Sequence, residues 1–173
     1  MPYYCEENIF LLAEDRCSAG AAGTVILVSN RSRSVVLSAQ RAAGGSRFVV
    51  WDYHVVYLES GLVFDLDTVL AVPTPASDYV AATFPPALRE SGSPYAPWFS
   101  TITAGRYLDV FSSNRDHMRD DEGRYVQPPP PWPRIYRPEH GNTLFELVDG
   151  EHPAISSYSD RFPVPLDRDS LEG

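Results

Sequence analysis

The stretch Arg47-Phe48-Val49-Val50-Trp51-Asp52-Tyr53-His54-Val55-Val56-Tyr57-Leu58-Glu59-Ser60-Gly61-Leu62-Val63-Phe64-Asp65-Leu66-Asp67-Thr68-Val69-Leu70-Ala71-Val72 sets the architecture. Two runs rich in Val, Leu and aromatic residues, Arg47 to Glu59 and Leu62 to Val72, are hinged at Ser60-Gly61, the pattern of two antiparallel strands and a short turn. A two-residue turn puts Glu59 opposite Leu62. The same register carries His54 directly opposite Asp67 and diagonally across from Asp65, on one face. A slip of one residue would send both carboxylates to the other face. The register supports a histidine–aspartate pair and leaves the choice between Asp65 and Asp67 open.

Upstream, Thr24 to Ser29 and Ser34 to Ser38 are β-branched runs separated by the polar turn Asn30 to Arg33, and they read as a first hairpin. Before them, Ile9, Phe10, Leu12 and Ala13 fall at helical spacing between Glu6 and Arg16. This helix starts at or just after Cys5, and the small-residue loop Ser18 to Gly23 ends it. Downstream of Val72 the prolines at 73, 75, 85, 86, 94 and 97 leave room only for short helices at Ser77 to Phe84 and Arg106 to Phe111. The run Pro128-Pro129-Pro130-Pro131-Trp132-Pro133 has to be extended and cannot enter a sheet interior, so it reads as a rigid strap across the surface. A last short helix is expected at Leu144 to Val148, and a poorly ordered polar tail from Pro163 to Gly173. The expected fold is α+β: one catalytic domain over residues 1–162, with an N-terminal helix packed on an antiparallel sheet.

The chain has 173 residues, 43% of them hydrophobic, which suits one core. It contains no run of the roughly 18 apolar residues a membrane-spanning helix needs, and Met1 to Glu7 has no secretory pattern. A cytoplasmic monomer with no membrane partner is therefore expected, with Cys5 and Cys17 as free thiols. A net charge of −9 argues against a nucleic-acid partner. All 14 basic residues are arginine, which excludes Schiff-base, P-loop and kinase-type lysine chemistry.

A cysteine at a helix start has unpaired backbone N–H groups and the helix dipole to favour its thiolate. Cys5 is so placed and Cys17 is not, although Glu6 and Glu7 work against the thiolate and call for a cationic partner. Among His54, His117, His140 and His152, only His54 lies within an apolar run, where its ring must find a partner. Taken singly, these residues have plainer readings: Cys5 as a small buried hydrophobe, His54 as a hydrogen-bonded core residue, and Asp65-Leu66-Asp67 as a strand cap or weak metal site. Arg115 and His117 likewise read as part of a polar structural turn, and Trp51, Trp98 and Trp132 as core packing. Taken together, a helix-start cysteine, a strand histidine and an aspartate on the next strand follow the order of papain-like and transglutaminase-like folds.

Tyr4-Cys5-Glu6-Glu7-Asn8-Ile9, Val50-Trp51-Asp52-Tyr53-His54-Val55-Val56 and Phe64-Asp65-Leu66-Asp67-Thr68-Val69-Leu70 resemble the signature segments of the protein N-terminal glutamine amidohydrolase family. Tyr107-Leu108 with Phe111, Asn114-Arg115-Asp116-His117-Met118 and the proline run add to the likeness, which covers Tyr4 to Phe162 and is thin between Val72 and Gly105. One departure is Phe64, where a tyrosine commonly precedes the aspartate. The resemblance implies a transglutaminase-like core, conversion of an N-terminal glutamine to glutamate with release of ammonia, and, in eukaryotes, a link to N-end-dependent proteolysis. It also implies a triad of Cys5, His54 and Asp65, which settles the choice the register leaves open, and peptides or proteins beginning with glutamine as substrates. No metal or organic cofactor is expected. Glu6, Asp52 and Asp67, next to the triad residues in sequence, are the candidates for reading the substrate α-ammonium. A broader glutamine deamidase, a transglutaminase-like enzyme or a cysteine protease would use the same three groups.

Overall fold

A computed structural model describes residues 1–88 and 93–163. Helix α1 (Cys5–Ser18) opens the fold. Ile9, Phe10 and Ala13 are its buried apolar stripe, and Gly20, at φ 82°, donates its N–H to the Cys17 carbonyl and turns the chain away. The helix runs two residues beyond the expected Arg16.

The strands β1 (Thr24–Ser29), β4 (His54–Glu59), β5 (Leu62–Phe64), β6 (Thr74–Pro75), β7 (Trp98–Thr103) and β8 (Ser157–Ser159) form a six-stranded antiparallel sheet in the order β6-β5-β4-β1-β7-β8. β2 (Val35–Leu37) and β3 (Val49–Trp51) form a separate two-stranded sheet. The fold is thus α+β with an N-terminal helix on an antiparallel sheet. α2 (Ala76–Thr83), α3 (Ala104–Val110) and α4 (Leu144–Val148) complete it.

The two central strands are apolar on both faces, and the pleat explains why. Val25, Leu27, Val55 and Tyr57 join Ile9, Phe10, Ala13 and Tyr107 in one core, whereas Ile26, Val28, Val56 and Leu58 join Val35, Leu37, Tyr79 and Phe84 in another. The sheet is therefore sandwiched, with helix α1 on one side and β2, β3 and α2 on the other.

Four sequence expectations need correction. β1 and β2 do not pair: Asn30 Oδ1 accepts the N–H groups of Ser32 and Ser34, and this local turn sends β2 to β3 while β1 pairs with β4 and β7. The strand expected from Arg47 to Glu59 breaks at Asp52-Tyr53, where Asp52 Oδ1 accepts the Tyr53 N–H and the Asp52 carbonyl accepts the Ser29 hydroxyl. The strand expected to reach Val72 stops at Phe64, because Asp65 Oδ1 captures the Asp67 N–H at 2.9 Å. β7, in the proline-rich region, is a full central partner of β1 that the prolines at 94 and 97 obscure in sequence.

The Ser60-Gly61 turn is as expected. Both residues have positive φ, 51° and 77°, the conformation of a type I′ hairpin turn, and Glu59 pairs with Leu62. Residues 128–133 are irregular and lie across the start of α1, held by a hydrogen bond from Trp132 Nε1 to Glu7 Oε2 at 2.7 Å. Of the tail expected to be poorly ordered, residues 164–173 lie outside the described residues.

Candidate active site

Cys5 is the first residue of α1. Tyr4 before it has an extended φ of −127° and offers no side-chain cap, so the N–H groups of the first turn remain available. The helix packs on β4, which brings the cysteine to the N-terminal end of that strand, where His54 is the first residue. Cys5 belongs to the core on the α1 side. His54 shares the parity of Val56 and Leu58, which face the α2 side. The two come to one cavity at the end of β4, where the sheet stops separating the two cores.

That cavity, of about 250 Å³, is lined by Cys5, His54, Tyr53, Trp51, Asp52, Asp67 and His117, with Tyr3, Met118, Val126 and Gln127 at its rim. It is smaller than the roughly 300–1,000 Å³ of drug-sized ligand sites and suits one amino-acid residue. A second cavity of about 310 Å³ shares Tyr3, Trp51 and Asp67 with it, which makes Asp67 part of the wall between them.

His54 is completely buried. Its Nε2 lies 3.0 Å from Asp65 Oδ1, an ionic contact short of good hydrogen-bond alignment, and its Nδ1 has no partner among the described residues. Asp65 is saturated: it accepts from Gln40 Nε2, from the Tyr79 hydroxyl and from the Asp67 N–H, each at 2.9 Å. Burial opposes its charge, yet the His54 ring and these donors hold its carboxyl down to about 2. The His54 ring moves the other way. Burial disfavours the imidazolium, but Asp65, with Asp67 and Glu6 further off, raises its pKa.

The Cys5 thiol is pushed well above its ordinary value, first by burial and then by Glu6 and Asp67; the Val55 backbone amide acts in the opposite direction. Its Sγ lies 3.7 Å from Glu6 Oε2. Helix-start placement alone therefore does not favour the thiolate here, because burial and, after it, the adjacent acids work against it.

Of the three expected amine-reading residues, Asp52 and Asp67 line the cavity, Asp52 exposed and Asp67 half-buried. Glu6 is fully buried beside Cys5. The polar turn at 114–118 divides in its roles. Arg115 is a buried structural residue whose Nε and Nη2 donate to Glu7 at 2.6 and 2.7 Å, whereas His117 stands in the cavity wall, its Nε2 3.0 Å from the Tyr53 hydroxyl. Trp51, expected in a core, also lines the cavity and packs on His54 with ring centroids 4.7 Å apart. Gln40 and Tyr79 have no marker in the sequence; only the fold brings them here, whereas Tyr53 lies beside His54 in the chain. His54, Asp65 and Asp67 offer ligand atoms within 4.8 Å of one another, and Asp65 already accepts from three donors.

An α+β fold in which a helix-start thiol and a buried imidazole line one cavity, with a saturated carboxylate behind the imidazole, defines a class of site suited to sulfur attack on an acyl carbon. Comparison with known proteins makes this specific. The sequence model of the N-terminal glutamine amidase family matches residues 1–160. Proteins named protein N-terminal glutamine amidohydrolase are 42% identical over 157 residues in Drosophila pseudoobscura pseudoobscura and 41% over 157 residues in Drosophila willistoni, in each case covering 84% of this chain and 75% of the relative. One from Arabidopsis thaliana is 34% identical over 148 residues, covering 78% of this chain and 66% of its own length. The chain belongs to the N-terminal glutamine amidase family.

Proposed function

We propose that this protein hydrolyses the side-chain amide of an N-terminal glutamine in peptides and proteins, giving glutamate and ammonia. Family membership supports the activity. The observation that carries the catalytic assignment is the His54 ring set between Asp65 and a cavity that Cys5 also lines: Nε2 makes an ionic contact with Asp65 Oδ1 at 3.0 Å, and Nδ1 has no partner among the described residues.

In this reading Cys5 attacks the amide carbon after passing its proton to His54. Backbone N–H groups of the first turn of α1 stabilise the oxyanion. The imidazolium protonates the departing ammonia, and the neutral ring then draws a proton from the water that hydrolyses the thioester. Asp65 fixes the ring and balances its charge. The free α-ammonium is read by the acids of the site, Asp67 and Asp52 from the walls and Glu6 through its charge. We further read residues 1–162 as one catalytic domain with a transglutaminase- or papain-like core, acting as a cytoplasmic monomer without metal, cofactor, nucleic-acid or membrane partner. The net charge of −9 and the lack, among the described residues, of a helix long and apolar enough to cross a membrane support that reading.

The test is ammonia release from a glutamine-initiated peptide. Cys5→Ala is expected to lower the rate by at least about a thousandfold, in line with loss of a nucleophile that works as part of a unit. Unchanged release from the variant would refute the assignment. Equal rates on the α-acetylated peptide would instead favour a general glutamine deamidase.

A further inference from the structure

The carboxylates around the cavity differ in what the protein gives them. Asp65 has its full set of donors, and Asp52 is exposed and accepts the Tyr53 N–H. Glu6 is completely buried; its Oε2 faces the Cys5 sulfur, and its Oε1, 3.7 Å from His117 Nε2, has no hydrogen-bond partner among the described residues. Asp67 stands in the wall of the cavity and carries a raised pKa, chiefly from burial. The guanidinium nearest it, Arg41, donates to the Leu66 carbonyl. Two poorly compensated acids therefore lie beside a thiol that must lose its proton.

The other groups facing Cys5 do not supply the missing charge. Tyr53 comes from the break before β4, His54 from the first position of β4, Asp65 from the segment after β5, Tyr79 from α2 and Tyr107 from α3, while His117 comes from the turn at Asp116–Met118. Of these, only the two histidines can become cations: His54 is held by Asp65, and His117 lies against the Tyr53 hydroxyl with Glu6 Oε1 3.7 Å away. The N-terminal ammonium of the chain also acts on Asp67, but it donates to Asn8 Oδ1 at 2.9 Å.

We propose that the α-ammonium of the substrate is the cation this cluster lacks, and that its arrival at Asp67, over Glu6, releases the Cys5 proton to His54. The inference rests on the amidohydrolase reading above and concerns how that site is switched on. The S–H bond breaks, an N–H bond forms at His54 Nδ1, and a neutral pair becomes thiolate and imidazolium. A unit charge brought within about 6 Å, at an effective dielectric of about 20, favours the thiolate by about two pH units, or roughly a hundredfold in its population. An internal glutamine lacks that charge. It is rejected by failing to activate the nucleophile as well as by weaker binding, so selectivity for the terminus falls on kcat as well as KM.

The experiment follows the ultraviolet absorbance of the thiolate against pH, with the Cys5→Ser protein subtracted so that Cys17 and the tyrosines cancel. Norvaline amide, which has a free α-ammonium and no side-chain amide, is added to saturation, judged by tryptophan fluorescence; N-acetylnorvaline amide is the control. Norvaline amide is expected to lower the Cys5 midpoint by about one to two pH units, and the acetylated compound to leave it in place. Glu6→Gln should lower the midpoint without ligand and shrink the further shift. A midpoint unmoved by saturating norvaline amide, or no binding of that amine, overturns the proposal without needing any folded variant of Glu6. Ammonia release from a glutamine-initiated peptide on the same sample separates the two readings: release with an unmoved midpoint defeats only the switch, and absence of release defeats the amidohydrolase itself.

Discussion

The carboxylate behind His54 and the carboxylate beside Cys5 are both buried, yet the fold treats them in opposite ways. Asp65 is met by an imidazole, an amide, a phenol and a backbone N–H; Glu6 keeps an oxygen with no hydrogen-bond partner among the described residues. A saturated carboxylate is fixed in place and charge, which is what an orienting group requires. An unsaturated one keeps its field available to neighbours and ligands. The contrast extends to Glu7, next to Glu6 in the chain, which Arg115 and Trp132 saturate and which therefore acts as a fastening for the strap.

The largest expected effect breaks the comparison at Asp65. Asp65→Asn should reduce kcat by about 10³ to 10⁴, because the ring loses its orienting charge, whereas Glu6→Gln should mainly move the alkaline limb of the pH–rate profile. Equal losses in the two variants would erase the distinction. Next is the saturated neighbour. Arg115→Leu leaves Glu7 buried and unpaired and should destabilise the fold by about 3–5 kcal/mol in denaturant unfolding. A shift under 1 kcal/mol, of the size roughly expected for exposed pairs, would show that the pair is solvated.

Smaller is Tyr79→Phe, which removes one of the donors to Asp65 Oδ2. It should cost about 1 kcal/mol of stability and lower turnover only several-fold, since Gln40 still holds that oxygen. The smallest effect is in the pH dependence of stability. The Asp65 pKa is depressed, so its contribution is complete above its ordinary 3.8 and is lost as pH falls toward about 2. The His54 pKa is raised, so its contribution is complete below its ordinary 6.5 and is lost as pH climbs through the raised value. Asp65→Asn should flatten the acid limb, and an unchanged limb would show that other carboxylates govern acid unfolding.

The sequence carries these features unevenly. Helix α1 and the Ser60-Gly61 turn are local events, written in spacing and turn chemistry, and the register they imply holds through Phe64. The choice of Asp65 over Asp67 is not local. It depends on Asp65 capturing the Asp67 N–H and so ending the strand, which hydrophobic pattern does not encode. The partner of β1 is illegible for the same reason, since Asn30 folds the chain back on itself before β2 can pair with it. Gln40 and Tyr79 come from two separated segments and carry no motif of their own. The polar turn at 114–118 was readable as a turn, but not as one with Arg115 facing inward and His117 facing the cavity.

The two-residue turn also acts as a spacer. Ser60 is exposed, and neither it nor Gly61 lines the cavity, yet the turn sets how far the returning strand travels before Asp65 leaves it. One extra residue there would slide Leu62 to Phe64 by a single place against β4 and turn the carboxylate from the imidazole toward the opposite layer. Replacement of Ser60 by Asn should leave catalysis intact while a single insertion ends it, so the length of this surface loop is under tighter constraint than its composition.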